Sequence, residues 1–289
     1  MEIIPRLNQK KRCSIAKDVY PYLMDHHLEG KAILPAVESL IIMARAVRTY
    51  YPRAEISILK RASFPRFLTI APDAVRLPVM VDLEMSGEGS VTASLLTSVK
   101  SKTGAISRTV EHARVEFAAA DSAEPLTPPF LAVNKPEGNY ISVPAATIYH
   151  ELVPFGAAYQ NISGDLSVSP KGAWAFIRGG DYGADESLLG SPFPMDAAMH
   201  AACVWGQRFA GKVCFPVGFE KRVIYQKTKK GKEYIGHVAP VSVSKEMLIF
   251  DAWIYKDDLI CESISGIQMK DVTRGRLCPP EWIRVNSEW

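Results

Sequence analysis

Two small groups of residues in this 289-residue chain have the types and spacing to move protons. The first runs from Asp25 to Pro35: His26 is followed by Gly30 four residues on and by Pro35 nine residues on, just ahead of a long apolar run. An imidazole in such a loop would face the mouth of a helix opening at Pro35, because proline is favoured in a first helical turn. The same pattern is also ordinary helix punctuation, so His26 gains weight only beside the second group. There Asp196 and His200 stand four apart, on one face and near the start of another helical run. Their neighbours Met195, Ala197, Ala198, Met199, Ala201 and Ala202 are small or apolar. A carboxylate in that company is costly unless it is paired. A first-turn Asp also has a plainer use, favouring the helix dipole and capping free amides.

Taken together, one imidazole and one carboxyl make a base and an acid. They suit removal of a proton next to a carbonyl and protonation of a hydroxyl leaving from the following carbon. An unperturbed histidine titrates near 6.5, so His26 can act as base at neutral pH. Asp196 must hold its proton to donate it; apolar burial raises its pKa and the helix N-terminus lowers it, so desolvation has to prevail. The free amides from Ala36 onward would stabilise the oxygen of an enolate-like transition state.

The elements that must position these residues follow from periodicity. Ala36, Leu40, Ile41, Ala44 and Val47 recur at helical spacing and Pro52 stops the pattern, which predicts a helix over 35–51. Runs at 55–59, 75–85, 90–99 and 107–117 are rich in Val, Ile, Leu and Thr and separated by Gly, Ser and Pro, as in a meandering antiparallel sheet. Val81-Asp82-Leu83-Glu84-Met85 alternates most clearly. From 118 to 143 the sequence becomes proline-rich and weakly periodic, the composition of a linker. The plan then repeats: strands at 164–169 and 173–178, Pro192-Phe193-Pro194, a helix from Met195 to about Ala210, and strands at 215–225, 233–243, 247–255 and 259–270. The expected organisation is a first half over 1–117 carrying His26, a linker over 118–143, and a second half over 144–289 carrying Asp196, with loose ends at 8–12 and 279–289. If the halves pack about a pseudo-twofold axis, His26 would face Asp196.

Composition narrows the functional classes. A hydrophobic fraction of 47% with 22% charged residues is that of a globular protein, and a net charge of +3 gives no argument for nucleic acid. Lys227, Lys229, Lys230 and Lys232 cluster around Gly231; they read most simply as a solvated hairpin tip, with docking of an acidic partner as the alternative. Five scattered cysteines with no Cys-x-x-Cys pair argue for a reducing compartment and against a disulfide framework or zinc site. No apolar signal core follows the basic N-terminal residues and no apolar run is long enough to span a bilayer, so a cytoplasmic protein without a membrane partner is expected. His112, His150 and His237 fit no motif and read as surface or packing residues. No phosphate loop, metal cluster or nucleophile elbow is present, so no cofactor is expected.

His26 through Gly30 to Pro35 has the spacing H-x-x-x-G-x-x-x-x-P, and Asp196 through His200 the form D-x-x-x-Q/H. Together they resemble the paired signatures of the dehydratase domains of polyketide and animal-type fatty acid synthases. Phe155-Gly156-Ala157-Ala158-Tyr159-Gln160 resembles that family's Y-G-P-x-F-Q segment, and Phe215-Pro216-Val217-Gly218-Phe219 its L-P-F-x-W segment, in the family's order. The resemblance spans nearly the whole chain. It implies an α+β double hotdog, two long helices each wrapped by an antiparallel sheet. It also implies dehydration of a 3-hydroxyacyl thioester to a trans or cis 2-enoyl thioester, the substrate being carried on the phosphopantetheine of an acyl carrier protein.

Carried over, His26 removes the α proton and Asp196 protonates the departing hydroxyl. Gly30, Pro35 and Ala36 shape the loop and helix mouth, and His200 holds Asp196 or the hydroxyl. Phe155, Gly156, Tyr159, Gln160, Phe215 and Pro216 line a substrate tunnel. The lysine cluster becomes a docking patch for the carrier protein, other synthase domains become partners, and a homodimer is allowed. Three positions depart from the pattern: Phe155 stands where a tyrosine is frequent, Ala157 replaces a proline, and Ala36 replaces a glycine. The same residues are compatible with double-bond isomerisation or polyketide cyclisation, and a hotdog module that binds acyl chains without turnover is a further alternative.

Overall fold

The structure, a computed structural model, describes residues 9–100, 107–120, 139–182 and 187–284. The chain divides into two compact units, Met1–Leu126 and Thr127–Trp289.

In the first unit, strand β1 (Gln9–Asp18) leads through a 3-10 turn (Pro21–Asp25) to two short strands, β2 (His27–Leu28) and β3 (Lys31–Ala32). Helix α1 (Ala36–Tyr50) follows, with Pro35 as its N-cap residue. Strands β4 (Glu55–Ser63), β5 (Arg76–Met85), β6 (Val91–Lys100) and β7 (Ser107–Ala118) complete the unit. They pair antiparallel in the order β1-β5-β6-β7-β4, so β5, β6 and β7 form the expected meander. Helix α1 packs on β4, β5, β6 and β7 through Val37, Leu40, Ile41, Ala44 and Val47, all buried. A helix of this length is marginal alone, so this burial is what holds it.

The basic segment at 10–12, expected as a loose end, is instead part of edge strand β1. Cys13 turns inward, while Arg12 and Lys10 face outward and pair with Asp82 and Glu84 on β5. Charged outward residues on an edge strand also discourage pairing with other chains.

In the second unit, β8 (Ile141–Pro144) leads into α2 (Ala145–Thr147), a single π-helical turn (Ile148–Leu152) and a 3-10 turn (Ala157–Tyr159). Strands β9 (Ile162–Ser169) and β10 (Gly172–Arg178) precede helix α3 (Phe193–Phe209). Strands β11 (Phe215–Ile224), β12 (Glu233–Val243), β13 (Leu248–Lys256) and β14 (Leu259–Lys270) follow. The order is β11-β14-β13-β12-β10-β9-β8, antiparallel. Helix α3 is buried from Phe193 through Gln207 and packs against β9, β10, β11, β12 and β13. A helix that is apolar all round belongs inside a fold. Its polar members are tied locally: Trp205 Nε1 donates to Ser169 O at 2.9 Å and Gln207 Nε2 to Leu152 O at 2.9 Å.

Two further expectations change. Strands β11 and β12 are separated in the sheet by β14 and β13, so Lys227–Lys232 lie on a crossing connection and not on a hairpin tip. Residues 279–284 are anchored: Ile283 is buried, its carbonyl accepts from Arg208, and Trp282 Nε1 donates to Glu151 at 2.7 Å. Of the expected linker, positions 121–138 lie outside the described residues; Ala118 ends β7 and Ile141 starts β8. Among the described residues no helix is long and apolar enough to cross a membrane.

Candidate active site

His26 ends the Pro21–Asp25 turn in an extended conformation and is half-buried. Its backbone carbonyl accepts from Ile33 N–H at 2.9 Å, and its ring Nδ1 lies 3.0 Å from Ile33 O. A carbonyl can only accept, so Nδ1 carries the hydrogen and Nε2 is the basic nitrogen of the neutral ring. Gly30 makes this loop possible. Glu29 and Gly30 have φ of 48° and 75°, the two successive positive values of a type I′ turn joining β2 to β3.

Beneath the loop, Tyr22 donates to Glu38 Oε1 at 2.8 Å and Lys17 Nζ lies 3.4 Å from Glu38 Oε2. Glu38 sits in the first turn of α1 and is buried. It ties the turn before His26 to the helix that Pro35 opens. Burial and the Glu38 carboxylate push the Tyr22 hydroxyl well above its ordinary value, so it remains a donor. The first helical bond of α1 runs from Ser39 N to Pro35 O at 3.1 Å, so the amides of Ala36, Val37 and Glu38 are outside the helix ladder.

In the second unit Asp196 stands in the first turn of α3 and is 6% exposed; His200 is 4% exposed. His200 Nε2 lies 2.9 Å from Asp196 Oδ2, a close contact whose angle is not that of an aligned hydrogen bond. The ring of Phe155 is 5.0 Å from that of His200, and Tyr159 joins the same aromatic wall through Phe155 at 6.4 Å and Phe193 at 5.4 Å. Gly156 caps the Ala157–Tyr159 turn. Gln160, expected to line a tunnel, is exposed, and its side-chain amide donates to Phe155 O at 2.8 Å, bracing the turn. Phe215 and Pro216 open β11, half-buried and paired with Lys270 and Met269.

Sequence reasoning missed Tyr149. Its hydroxyl lies 3.4 Å from His200 Nδ1, and its ring meets the His200 ring edge-on at 5.8 Å. Tyr149 lies within the π-helical turn, whose closing bond runs from Val153 N to Ile148 O at 2.8 Å. That geometry follows neither helical nor strand periodicity; the only sequence signal was a tyrosine six residues before Phe155.

The mouth of α3 is fixed by a buried network. Arg222 donates to Glu262 Oε2 through Nε at 2.9 Å and Nη2 at 2.7 Å. Thr228 Oγ1 lies 3.1 Å from both Glu262 Oε1 and Ser191 O. Ser191 in turn donates to Gly179 O at 2.6 Å, and Phe193 N–H reaches back to Ser191 Oγ at 3.4 Å. The four lysines beside Thr228 are all exposed. Their loop leans on the segment entering α3, with Gly231 N donating to Gly180 O at 2.8 Å and Gly179 N to Lys232 O at 2.7 Å.

A dehydratase domain from Brevibacillus brevis, of a trans-AT polyketide synthase, superposes with a TM-score of 0.69 at 18% identity, covering 92% of this chain and 94% of its own. The dehydratase domain of RzxB from Pseudomonas fluorescens gives 0.69 at 13% identity, covering 90% and 94%. An inactive histidine-to-phenylalanine variant of the CurJ dehydratase, solved with a bound compound, gives 0.70 at 14% identity, covering 92% of each chain. A search of functionally curated proteins returned no match. The fold is therefore the double hotdog of dehydratase domains. The sequence pattern described as "Polyketide synthase dehydratase N-terminal domain" matches residues 118–278, more than half of the chain. The chain belongs to the polyketide synthase dehydratase family, whose general reaction is dehydration of a hydroxyacyl intermediate.

Proposed function

We propose that this protein eliminates water from a 3-hydroxyacyl thioester borne on the phosphopantetheine of an acyl carrier protein, with His26 as base and Asp196 as acid. The observation that carries the reading is the buried Asp196–His200 pair in the first turns of an otherwise apolar helix. Such a carboxyl costs stability that apolar residues would not, which is the mark of a functional group.

In the reaction His26 Nε2 takes the α proton, its electron pair forms the Cα=Cβ double bond, and the Cβ–O bond breaks. Asp196 gives its proton to the leaving oxygen, producing water. Exchange with solvent then takes the proton from His26 and returns one to Asp196, which restores both groups. The hydrogen bond from Nδ1 to Ile33 O keeps Nε2 as the accepting atom throughout. The unused amides from Ala36 onward favour the enolate-like oxygen. The steps balance with one base and one acid, so the proposal needs no cofactor.

Phe155, against the His200 ring, and Tyr159 behind it supply an apolar wall for the acyl chain. Lys227, Lys229, Lys230 and Lys232 suit an acidic carrier protein, because the loop they decorate leans on the segment entering α3. The five cysteines are unpaired and four are buried, which fits a reducing cytoplasm.

The test is mass spectrometry of carrier-protein-bound 3-hydroxyacyl chains of several lengths incubated with the protein. Loss of one water is expected with the unaltered chain and none with His26→Ala or Asp196→Asn, both still folded. Full activity in either variant refutes the assignment. A product of unchanged mass with a moved double bond, or a ring, would assign the same residues to isomerisation or cyclisation.

A further inference from the structure

We propose that Tyr149 is a positioning residue that fixes the tautomer of His200 and, through it, the oxygen on which Asp196 carries its acidic proton. The inference rests on Asp196 being the acid and adds a group outside the motifs that point to it.

The Tyr149 oxygen accepts the backbone N–H of Ile162 at 2.8 Å. With that amide seated on the oxygen, the hydroxyl hydrogen turns to another acceptor. His200 Nδ1 is the acceptor in reach, at 3.4 Å. Burial pushes the Tyr149 hydroxyl well above its ordinary value, so it keeps this hydrogen at any working pH. A ring nitrogen that accepts carries no hydrogen, so in neutral His200 the hydrogen sits on Nε2, the atom 2.9 Å from Asp196 Oδ2.

The consequence is directional. With the hydrogen on Nε2, the ring sets a positive edge 2.9 Å from Oδ2, without an aligned hydrogen bond, and this favours placing the proton of the acid form on Oδ1. There it can be passed to a substrate hydroxyl. In the opposite tautomer Nε2 is a bare lone pair, which draws the Asp196 proton toward His200 and away from the substrate. Phe155, whose ring lies against His200 where relatives are expected to offer a hydroxyl, cannot set the tautomer; Tyr149 reaches the ring from the π-helical turn instead.

The experiment is a double-mutant cycle on the full chain with a direct reading of the tautomer. Tyr149→Phe is expected to lower kcat about tenfold, the scale of one hydrogen bond, with KM little changed. In a His200→Gln background, where no tautomer exists to be chosen, the same change is expected to have no further effect on kcat. Equal losses in both backgrounds, or no loss in either, overturn the proposal. Because Tyr149→Phe leaves the Ile162 amide without its acceptor and can weaken the fold, 15N NMR of histidine-labelled unaltered protein gives the second reading. The His200 signals, assigned by their absence in His200→Gln, should show Nε2 protonated and Nδ1 bare; the reverse pattern overturns the proposal. Asp196→Asn serves as the separate control. Its full activity would refute Asp196 as the acid, whereas its inactivity beside a fully active Tyr149→Phe would refute only Tyr149's role.

Discussion

Replacing Glu262 with glutamine isolates the cost of the buried network at the mouth of α3. Arg222 is 2% exposed and Glu262 0%, so neither charge has water to fall back on. Both Arg222 donors converge on Glu262 Oε2, and Thr228 holds the other carboxylate oxygen. Glu262→Gln keeps the shape but leaves the guanidinium with a neutral partner. Its other contact, Leu189 O at 3.5 Å, is long. Removing one partner of such a pair costs about 3–5 kcal/mol, mostly as the penalty of a stranded charge. At about 2–4 °C per kcal/mol for a unit of this size, the melting temperature should fall by roughly 6–20 °C. Replacing both partners, Arg222→Met with Glu262→Leu, strands no charge and should lie within about 2 kcal/mol of the unaltered protein. Urea unfolding followed by tryptophan fluorescence, with m-values compared between variants, measures both quantities. A cost below about 1 kcal/mol for Glu262→Gln, or a double variant weaker than the single one, would refute the desolvated-pair reasoning.

Three further expectations follow from other parts of the molecule. Reversing the sign of Lys227, Lys229, Lys230 and Lys232 to Glu should lower kcat/KM at least tenfold for carrier-borne substrate, with little change for a free pantetheine thioester; equal losses on both substrates would deny a docking role. Gly180 has φ +66° and a Cβ there would run into the Phe193 ring at the start of α3, so Gly180→Ala should destabilise by about 1–3 kcal/mol, read as a lowered urea midpoint. Burial holds His237, stacked 5.4 Å from Trp253, below its ordinary 6.5. The unfolded chain therefore binds this proton first, and stability should fall as pH drops through 6.5 toward the lowered value; His237→Gln should flatten that decline in urea titrations at several pH values.

Helices α1 and α3 were legible because apolar residues at helical spacing stop at Pro52 in one case and start after Pro192 in the other. Most strands were legible from alternation, with ends off by one to a few residues, as hydrogen bonding and not side-chain type sets where a strand stops. Strand β1 escaped because Lys10, Lys11 and Arg12 read as a charged tail; the charges that hid it are the ones that pair it to Asp82 and Glu84. The lysine loop was misread because neighbouring runs in sequence need not be neighbours in a sheet, and the order β11-β14-β13-β12 is a long-range choice. In the candidate site, Asp196 and His200 were visible as polar residues on an apolar helix. Tyr149 was not, because a π-helical turn has no repeat to detect and its contact with His200 spans 51 positions.

The loop bearing His26 has a consequence for how the chain folds. The two bonds that aim its imidazole, from Ile33 N–H to the His26 carbonyl and from Nδ1 to the Ile33 carbonyl, close over a separation of seven residues. Closing so short a segment costs little chain entropy and takes well under a microsecond once the turn at Glu29-Gly30 forms. The ring around Asp196 draws on Tyr149, Ile162 and His200, and so waits for far longer loops to close. The His26 imidazole can thus be set by a local event early in folding, whereas the surroundings of the Asp196 carboxyl are completed only when the second unit is assembled.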